Sequence, residues 1–302
     1  MSLWIPVTLC AAFFQNLRFM LQRHLKTTRL TTAGATYSRF LFSLPFVVPG
    51  MLIYASSASA SFPQINASFW PYILTGGVAQ IMATACVVAL FAERNFTVGI
   101  ALKKSEVILT AVIGLIILGE VVTWGGVAAI IIGFIGVMLL SDPPKTATAL
   151  PWSERLFNKA SGYGLSAGLL FGVSAVGYRG ATLQVVSDDP FLRAVVTLAV
   201  AITWQVLVMT LWLVWRDRAE IARVIASWKV SVWTGLTSLL GSLCWFIAFT
   251  LQNAAYVKAL GQVELLFTFA GSYFIFKERS TGRELLGVVL IVASILCLVV
   301  AL

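Results

Sequence analysis

Two stretches of the chain, 158 residues apart, decide its fold. Residues 106–120 read EVILTAVIGLIILGE, and residues 264–278 read ELLFTFAGSYFIFKE. Each is an apolar run between two glutamates, and a gapless shift superimposes both glutamates and one threonine, although the chain holds only eight Glu residues. The same shift also places Phe91, Asn95 and Ala101 on Phe249, Asn253 and Ala259. We therefore predict that the chain contains an internal duplication.

The composition places these stretches in a lipid bilayer. Of the 302 residues, 59% are hydrophobic and 11% are charged, with a mean hydropathy of +0.93; soluble proteins carry about 25% charged residues. A membrane-spanning helix needs about 20 mostly apolar residues. Ten such runs lie at about 4–22, 33–55, 69–92, 97–118, 122–140, 161–179, 191–215, 229–250, 256–276 and 284–302. The sequence thus predicts an all-α integral membrane protein with ten transmembrane helices.

The chain divides into two halves of five spans each. The longest polar connection contains Pro143, Pro144 and Pro151, and proline disfavours helix. We assign 1–141 to the first five-helix repeat, 142–160 to the connecting loop and 161–302 to the second repeat. An odd number of spans per repeat inverts the second copy in the membrane. Inverted repeats are a transporter architecture, with the substrate site at their interface near mid-bilayer.

Several function classes are disfavoured by the residues present. The chain has one histidine, His24, and four cysteines at no metal-binding spacing. Its net charge of +9 lies in loops between apolar runs, which does not suggest a nucleic-acid-binding face. Residues 164–168 match the GxSxG pattern of serine hydrolases, but in an apolar helix these glycines favour helix packing. We expect no cofactor, no metal, no nucleic-acid partner and no enzymatic activity.

Two glutamates fall near the centres of predicted spans. An ionisable side chain there costs about 2.5–3.5 kcal/mol on insertion scales, so each suggests a function. Glu106 shares a helix face with Lys103 and Thr110 in span 4, and Glu264 lies in span 9. The pair can titrate protons or bind substrate at the midplane. Alternatively, Lys103 neutralises Glu106, and Glu264 forms hydrogen bonds with backbone across the repeat interface.

The intramembrane basic residues form two groups by depth. Arg18, Arg39, Lys103 and Lys104 lie toward one side of the membrane, and Arg179, Arg193 and Lys258 toward the other. As collars at two mouths of one pathway, they would attract anions such as carboxylates or phosphates. Alternatively, their long side chains reach the membrane interface by snorkelling. We assign a gate or mouth role to Arg39, Lys103, Lys104, Arg179 and Lys258.

The paired stretches resemble the fourth- and ninth-helix motif of the EamA-type branch of the drug/metabolite transporter (DMT) superfamily. In that family a helix ends in Gly-Glu followed by Thr, and the next span contains glycines, as at 119–136 here. The resemblance covers all ten spans. It implies small-metabolite transport, often export, through a cavity lined by spans 1, 3, 4, 6, 8 and 9. Candidate substrate contacts on those spans are Gln15, Arg18, Gln80, Glu106, Tyr178, Trp245 and Glu264.

We therefore expect a secondary transporter that works by alternating access on an amino acid or related compound. A channel-type pore would share the ten spans and is the alternative. The expected setting is the bacterial inner membrane, as a multi-pass monomer or homodimer whose partners are the lipid bilayer and a small-molecule substrate. Fourteen Lys and Arg residues follow the odd-numbered spans and at most three follow the even-numbered ones. That count places both termini outside, whereas many relatives are described with cytoplasmic termini.

Overall fold

The structure, a computed structural model, describes residues 2–58, 62–93, 96–140, 158–267, 269 and 281–300, and it is overwhelmingly helical. In chain order the helices are α1 (Trp4–Thr28), α2 (Thr32–Leu41), α3 (Leu44–Ala58), α4 (Phe69–Leu90), α5 (Phe96–Lys103), α6 (Glu106–Leu118), α7 (Trp124–Leu140), α8 (Lys159–Leu183), α9 (Pro190–Arg216), α10 (Arg218–Ala226), α11 (Trp228–Leu251), α12 (Ala254–Leu260) and α13 (Gly282–Val300). Two short strands, β1 (Gln64–Ile65) and β2 (Val185–Val186), and a 3-10 turn (Gly261–Val263) are also present.

Seven helical stretches of the described chain are long and apolar enough to cross a membrane. They are Trp4–Thr28, Thr32–Ser57, Phe69–Leu90, Lys159–Leu183, Pro190–Arg216, Trp228–Leu251 and Gly282–Val300. These stretches correspond to predicted spans 1, 2, 3, 6, 7, 8 and 10. The shorter apolar helix Trp124–Leu140 lies at predicted span 5. The prediction of an all-α, multi-pass membrane protein is confirmed.

Predicted spans 4 and 9 differ from the expected single helices, because each is interrupted near its middle. In span 4, α5 ends at Lys103 and α6 begins at Glu106. In span 9, α12 ends at Leu260 and the 3-10 turn follows, before residues 264–267 become helical again. A shift of 158 residues superimposes the two interruptions. Backbone irregularity at this depth is tolerated only where it is buried in protein or lines a cavity.

The long helices pack in three lengthwise pairs: α1 with α11, α4 with α8, and α7 with α13. Small residues permit the close approach, as is typical of membrane helices. A Cβ on Gly136 of α7 would lie 2.9 Å from the carbonyl oxygen of Gly287 on α13. On Gly76 of α4, it would lie 3.4 Å from the Cα of Gly177 on α8. The α6 and α12 segments lie against each other, with α8 packed on α6 and α1 on the 3-10 turn.

Local sequence signals fix several helix ends. The Asn158 side chain accepts a hydrogen bond from the Ser161 backbone N–H, so α8 begins two residues before predicted span 6. Asp189 caps α9 in the same way, and Pro190 occupies the first helical position. At the end of α6, Gly119 adopts a φ of 67°, which glycine accepts without a steric penalty.

Two connections between the predicted spans contain regular secondary structure. Ser56–Ser68 includes the end of α3 and strand β1, which pairs antiparallel with β2. The basic connection after span 7 forms helix α10. Its buried Glu220 accepts hydrogen bonds from the backbone N–H and the hydroxyl of Thr31, both at 2.7 Å. Both connections are fixed by contacts with residues far away in sequence, which a local pattern does not reveal. Of the connecting loop assigned to 142–160, residues 142–157 lie outside the described residues, and α8 begins at Lys159.

The glycines of the GxSxG match lie within the continuous helix α8 and pack against α5 and α6. A Cβ on Gly164 would collide with the backbone of Gly99, and a Cβ on Gly168 would lie 2.9 Å from the carbonyl oxygen of Lys103. A Cβ on the third glycine of this stripe, Gly172, would lie 3.3 Å from the backbone nitrogen of Thr110. The stripe therefore allows α8 to approach the first helix interruption closely, as the packing interpretation predicted.

We expect Gly164→Ala to lower the free energy of unfolding by about 1–3 kcal/mol, because the added methyl group overpacks the contact with Gly99. Gly162→Ala is the matched control, since nothing lies within 4 Å of its added Cβ and it lies on the same helix. Both changes gain the same helix propensity, so their difference isolates the clash. Unfolding of the detergent-solubilised protein in a denaturant titration measures it. Equal stability of the two variants would contradict the packing.

Candidate functional site

Five charged side chains from the two helix interruptions meet inside the protein. Lys104 forms an ion pair with Glu264, and Lys103 Nζ lies 3.7 Å from the same carboxylate. Glu106 is approached by Lys103 at 3.8 Å and by Lys258 at 3.9 Å. All five side chains are buried, with 2–9% of each residue exposed. We call these five residues the central charge cluster.

The interruption of span 4 explains how two consecutive lysines share one carboxylate. In a continuous α-helix, neighbouring side chains point about 100° apart. Because the helix is broken after Lys103, both Lys103 and Lys104 reach Oε1 of Glu264. In turn, Lys258 from the second broken segment reaches Glu106 of the first. Each interruption thus supplies a carboxylate that pairs with a cation from the other interruption.

A hydrogen-bonded chain connects the charge cluster to α1 and α11. Gln15 Nε2 donates to Glu264 Oε2 at 2.7 Å, and Trp245 Nε1 donates to Gln15 Oε1 at 3.1 Å. The Trp245 ring also carries the Lys258 ammonium 4.8 Å from its centroid. Gly261 faces this ring so closely that an added Cβ would lie 2.5 Å from it. The second interruption is therefore shaped around Trp245.

Two arginines lie beside the cluster, fully inside the protein. Arg39 is 1% exposed and donates to three hydroxyls, those of Ser238 and Thr84 at 3.0 Å and of Ser242 at 3.4 Å. Arg18 is 4% exposed, and its Nε and Nη2 have no hydrogen-bond partner among the described residues. Its guanidinium lies 4.3 Å from the ring centroid of Phe19.

Three polar side chains from α4, α8 and α9 border the site and form hydrogen bonds with one another. Tyr178 Oη donates to Gln80 Oε1 at 2.9 Å. Gln205 Nε2 lies 2.7 Å from the same oxygen and 2.9 Å from Tyr178 Oη. Gln80 and Tyr178 were singled out from the sequence, whereas Gln205 was not.

A cavity connects these groups. Its walls include six of the residues singled out from the sequence: Gln15, Arg18, Gln80, Tyr178, Trp245 and Lys258. Phe171, Phe246 and Phe249 supply apolar wall. Only about 20 Å³ is open to the centre of a water molecule, little more than one water requires. The helices must therefore move apart before a metabolite can occupy this cavity.

The structure distributes the five residues assigned to mouths differently from that expectation. Lys103, Lys104 and Lys258 meet in the central charge cluster, because the interruptions bring both broken spans to the same depth. Arg39 is enclosed by hydroxyls instead of facing a mouth. None of these four reaches the surface, since each is at most 7% exposed, which does not fit snorkelling.

Arg179, in contrast, lies near the end of α8 and forms hydrogen bonds with the segment after α6 and with α11. Its Nε donates to Glu120 Oε1 at 2.7 Å, just after α6. Its Nη1 donates to the carbonyl oxygens of Phe249 at 2.7 Å and Thr250 at 2.9 Å, in the last turn of α11. Arg193, from the same predicted collar, donates to the carbonyl oxygen of Thr182 at 2.9 Å.

Sequence reasoning missed the hydroxyl partners of Arg39 on α11, although a signal was present. Hydroxyl residues recur at helical spacing along one face of that helix: Ser231, Thr234, Ser238 and Ser242. A polar stripe on a spanning helix faces protein or water instead of lipid. Such a stripe, read together with an unpaired arginine on another span, would have predicted the contact.

Comparison with known protein families gives a match in the second half of the chain. Residues 159–300 match the EamA-like transporter family. A solved structure named "Crystal structure of protein" superimposes with a TM-score of 0.72, covering 99% of this chain and 96% of that chain at 12% sequence identity. At that identity the similarity concerns the fold alone. Among curated proteins, no sequence matches this chain.

A double-mutant cycle tests the Lys104–Glu264 ion pair. We expect Lys104→Met and Glu264→Gln each to lower the free energy of unfolding by up to about 3–5 kcal/mol, because each leaves a buried charge without its partner. The double variant should lose about 0.5–3 kcal/mol less than the sum of the two. Denaturant titration in detergent measures all four proteins, with the exposed Lys229→Met as control. Strict additivity would rule out the pair.

Proposed function

We propose that this chain, whose residues 159–300 match the EamA-like transporter family, is a secondary transporter of the drug/metabolite transporter superfamily. In this proposal it moves a small metabolite, such as an amino acid or a related compound, across the membrane by alternating access. The observation that carries the proposal is the central charge cluster, because it lies where two spans are broken at corresponding positions. Discontinuous helices of this kind form the mid-membrane sites of secondary transporters.

We propose further that the ten predicted spans form two inverted five-helix repeats, residues 1–141 and 161–302. The helix pairing supports this, because exchanging the halves converts the α1–α11 pair, spans 1 and 8, into the α8–α4 pair, spans 6 and 3. The α7–α13 pair, spans 5 and 10, is unchanged by the exchange. The family match over 159–300 also has nearly the limits of one repeat.

The arrangement of these helix pairs around the cavity supports the proposal of alternating access. Gln15, Arg18 and Trp245 line it from α1 and α11, and Gln80 and Tyr178 line it from α4 and α8. Rocking of one pair against the other would open one mouth and close the opposite one around Glu106 and Glu264. We propose these seven residues as the substrate site, and Lys103, Lys104, Lys258 and Arg39 as charged groups supporting it from within.

At one mouth of the proposed pathway, hydrogen bonds of Arg179 connect helices of different pairs. The hydrogen bonds of Arg179 hold the end of α8 to Glu120 and to the last turn of α11. Because α8 and α11 belong to opposite helix pairs, this contact must break when that mouth opens. We propose Arg179 and Glu120 as the gate on that side. The setting we propose is the bacterial inner membrane, with the protein as a monomer or homodimer.

Counterflow in proteoliposomes tests the proposed function. Vesicles are preloaded with unlabelled pools of neutral amino acids, purines or small carboxylates, and the entry of the labelled compound is followed. Alternating access predicts that one preloaded pool accelerates entry in a saturable manner, because the loaded carrier returns faster than the empty one. Entry that increases linearly with concentration, without acceleration by preloading, would indicate a channel. No entry from any pool into vesicles with folded protein would contradict both.

Proton coupling, if it operates, is expected at Glu106. Its Oε2 has no hydrogen-bond partner among the described residues, and its cations stay 3.8–3.9 Å away. Glu264, by comparison, is held directly by Lys104 and Gln15. Glu106→Gln mimics the protonated carboxyl, so its uptake should lose the pH dependence of the wild type. Uptake measured between pH 5.5 and 8.5 decides this, with Glu93→Gln as control; an unchanged pH profile in Glu106→Gln would exclude the role.

A further inference from the structure

We infer that the substrate of this site is a small oxyanion, carrying a carboxylate or a phosphate, and that Arg18 binds it directly. This inference rests on the transport function proposed above and specifies the substrate class. It follows from the balance of buried charges, from the contacts that Arg18 lacks, and from the position of Arg18 in the cavity wall.

The buried charges around the cavity do not balance. Three lysines of the central charge cluster face two carboxylates, those of Glu106 and Glu264. Arg18 and Arg39 add two more cations, and no carboxylate of the described chain lies within 4 Å of either guanidinium. A lysine can lose its proton when it is buried, but arginine stays charged in proteins. Five cations thus face two carboxylates, an excess of three positive charges, and the two on the arginines cannot be removed by deprotonation.

The two arginines differ in the hydrogen bonds that surround their buried guanidinium groups. Arg39 spreads its guanidinium over the hydroxyls of Ser238, Thr84 and Ser242, and it lies 4.6 Å from the ring centroid of Phe40. Arg18 has no comparable shell, because its Nε and Nη2 lack hydrogen-bond partners in the described chain. Buried polar groups without partners are rare in proteins, and each needs an explanation. A ligand that arrives and leaves is such an explanation.

The position of Arg18 gives that ligand its place. Arg18 is the fifteenth of the 25 residues of α1, near the middle of the helix, and it lines the cavity together with Gln15, Gln80 and Lys258. Its Nε and one Nη form the planar fork that matches two oxygens of a carboxylate or phosphate. Those are the same atoms, Nε and Nη2, that have no partner here.

Anion binding to the purified protein in detergent tests the inference without requiring transport. The probes are succinate and inorganic phosphate, with the neutral diamide succinamide and sodium chloride at matched ionic strength as controls. The measured quantity is the midpoint of thermal unfolding as a function of probe concentration. We expect succinate or phosphate to raise the midpoint in a saturable manner, since a ligand that binds only the folded state stabilises it. Succinamide and chloride should have no saturable effect.

Variants of Arg18 identify the residue. Arg18→Gln should raise the half-saturating anion concentration at least about tenfold, because a charge-assisted hydrogen bond is lost, and Arg18→Lys should retain part of the affinity. Without anion, Arg18→Gln should unfold at or above the wild-type temperature, because it removes a buried charge whose Nε and Nη2 have no hydrogen-bond partner among the described residues. A purely structural arginine would behave in the opposite way. The exposed Arg216→Gln is the control and should bind as the wild type does.

The outcomes separate the two proposals. A saturable effect of succinate alone assigns a carboxylate, and one of phosphate alone assigns a phosphate; both results support the inference. Stabilisation by succinamide equal to that by succinate, no saturable effect of any anion on the wild type, or unchanged anion affinity in Arg18→Gln would each overturn it. Saturable anion binding combined with no counterflow from any pool would keep the anion site and refute transport. Counterflow of purines alone, which carry neither a carboxylate nor a phosphate, would do the reverse.

Discussion

Charged side chains inside a bilayer must find partners within the protein, and in this chain that requirement breaks two helices. Lys103, Lys104 and Glu106 are too close in sequence for a continuous helix to turn all three inward. The interruption after Lys103, and its counterpart before Glu264, let the cations of one span reach the carboxylate of the other. The glycine stripe of α8 lies against the first interruption, and Trp245 lies against the second. The three helix pairs surround this contact, so the arrangement of the interior depends on it.

The same contact determines which buried charges of the site are paired with an opposite charge. The lysines and glutamates nearly neutralise one another, whereas Arg39 is surrounded by hydroxyls and the Phe40 ring, and Arg18 lies against the Phe19 ring, with no carboxylate of the described chain within 4 Å of either guanidinium. Besides the two Arg18 nitrogens, Ser105 Oγ, Glu106 Oε2 and Gln262 Oε1 are buried near the interruptions without hydrogen-bond partners among the residues that the structure describes. A folded interior rarely tolerates this number of unsatisfied groups in one place. In a transporter they are expected, because the site must bind its substrate strongly enough to select it and weakly enough to release it.

Much of the fold could be predicted from the sequence, because hydropathy alone marks a helix long enough to cross a bilayer. The duplicated glutamates also pointed to the central charge cluster, because an ionisable residue in a span stands out from its apolar surroundings and both Glu106 and Glu264 belong to that cluster. The interruptions could not be predicted in this way. They depend on pairings such as Lys258 with Glu106, between residues 152 positions apart, and the apolar runs continue through both breaks. Depth along a span was a poor guide for the same reason: Lys103 and Lys258 were assigned to opposite mouths, yet both broken spans bring them to one place. The helix α10 was missed because its anchor, Glu220, bonds to Thr31, a distant residue.

Paired distances across the two mouths test alternating access most directly. In a background without the four native cysteines, spin labels at Leu183 and Gln252 report on the mouth closed by Arg179, and labels at Thr27 and Lys159 report on the opposite one. Glu120→Ala removes the carboxylate that accepts a hydrogen bond from Arg179 Nε and needs no ligand to shift the equilibrium. Alternating access predicts that this variant lengthens the mean Leu183–Gln252 distance and shortens the Thr27–Lys159 distance. A longer first distance with no change in the second would contradict coupling between the mouths and indicate a pore that opens on one side independently.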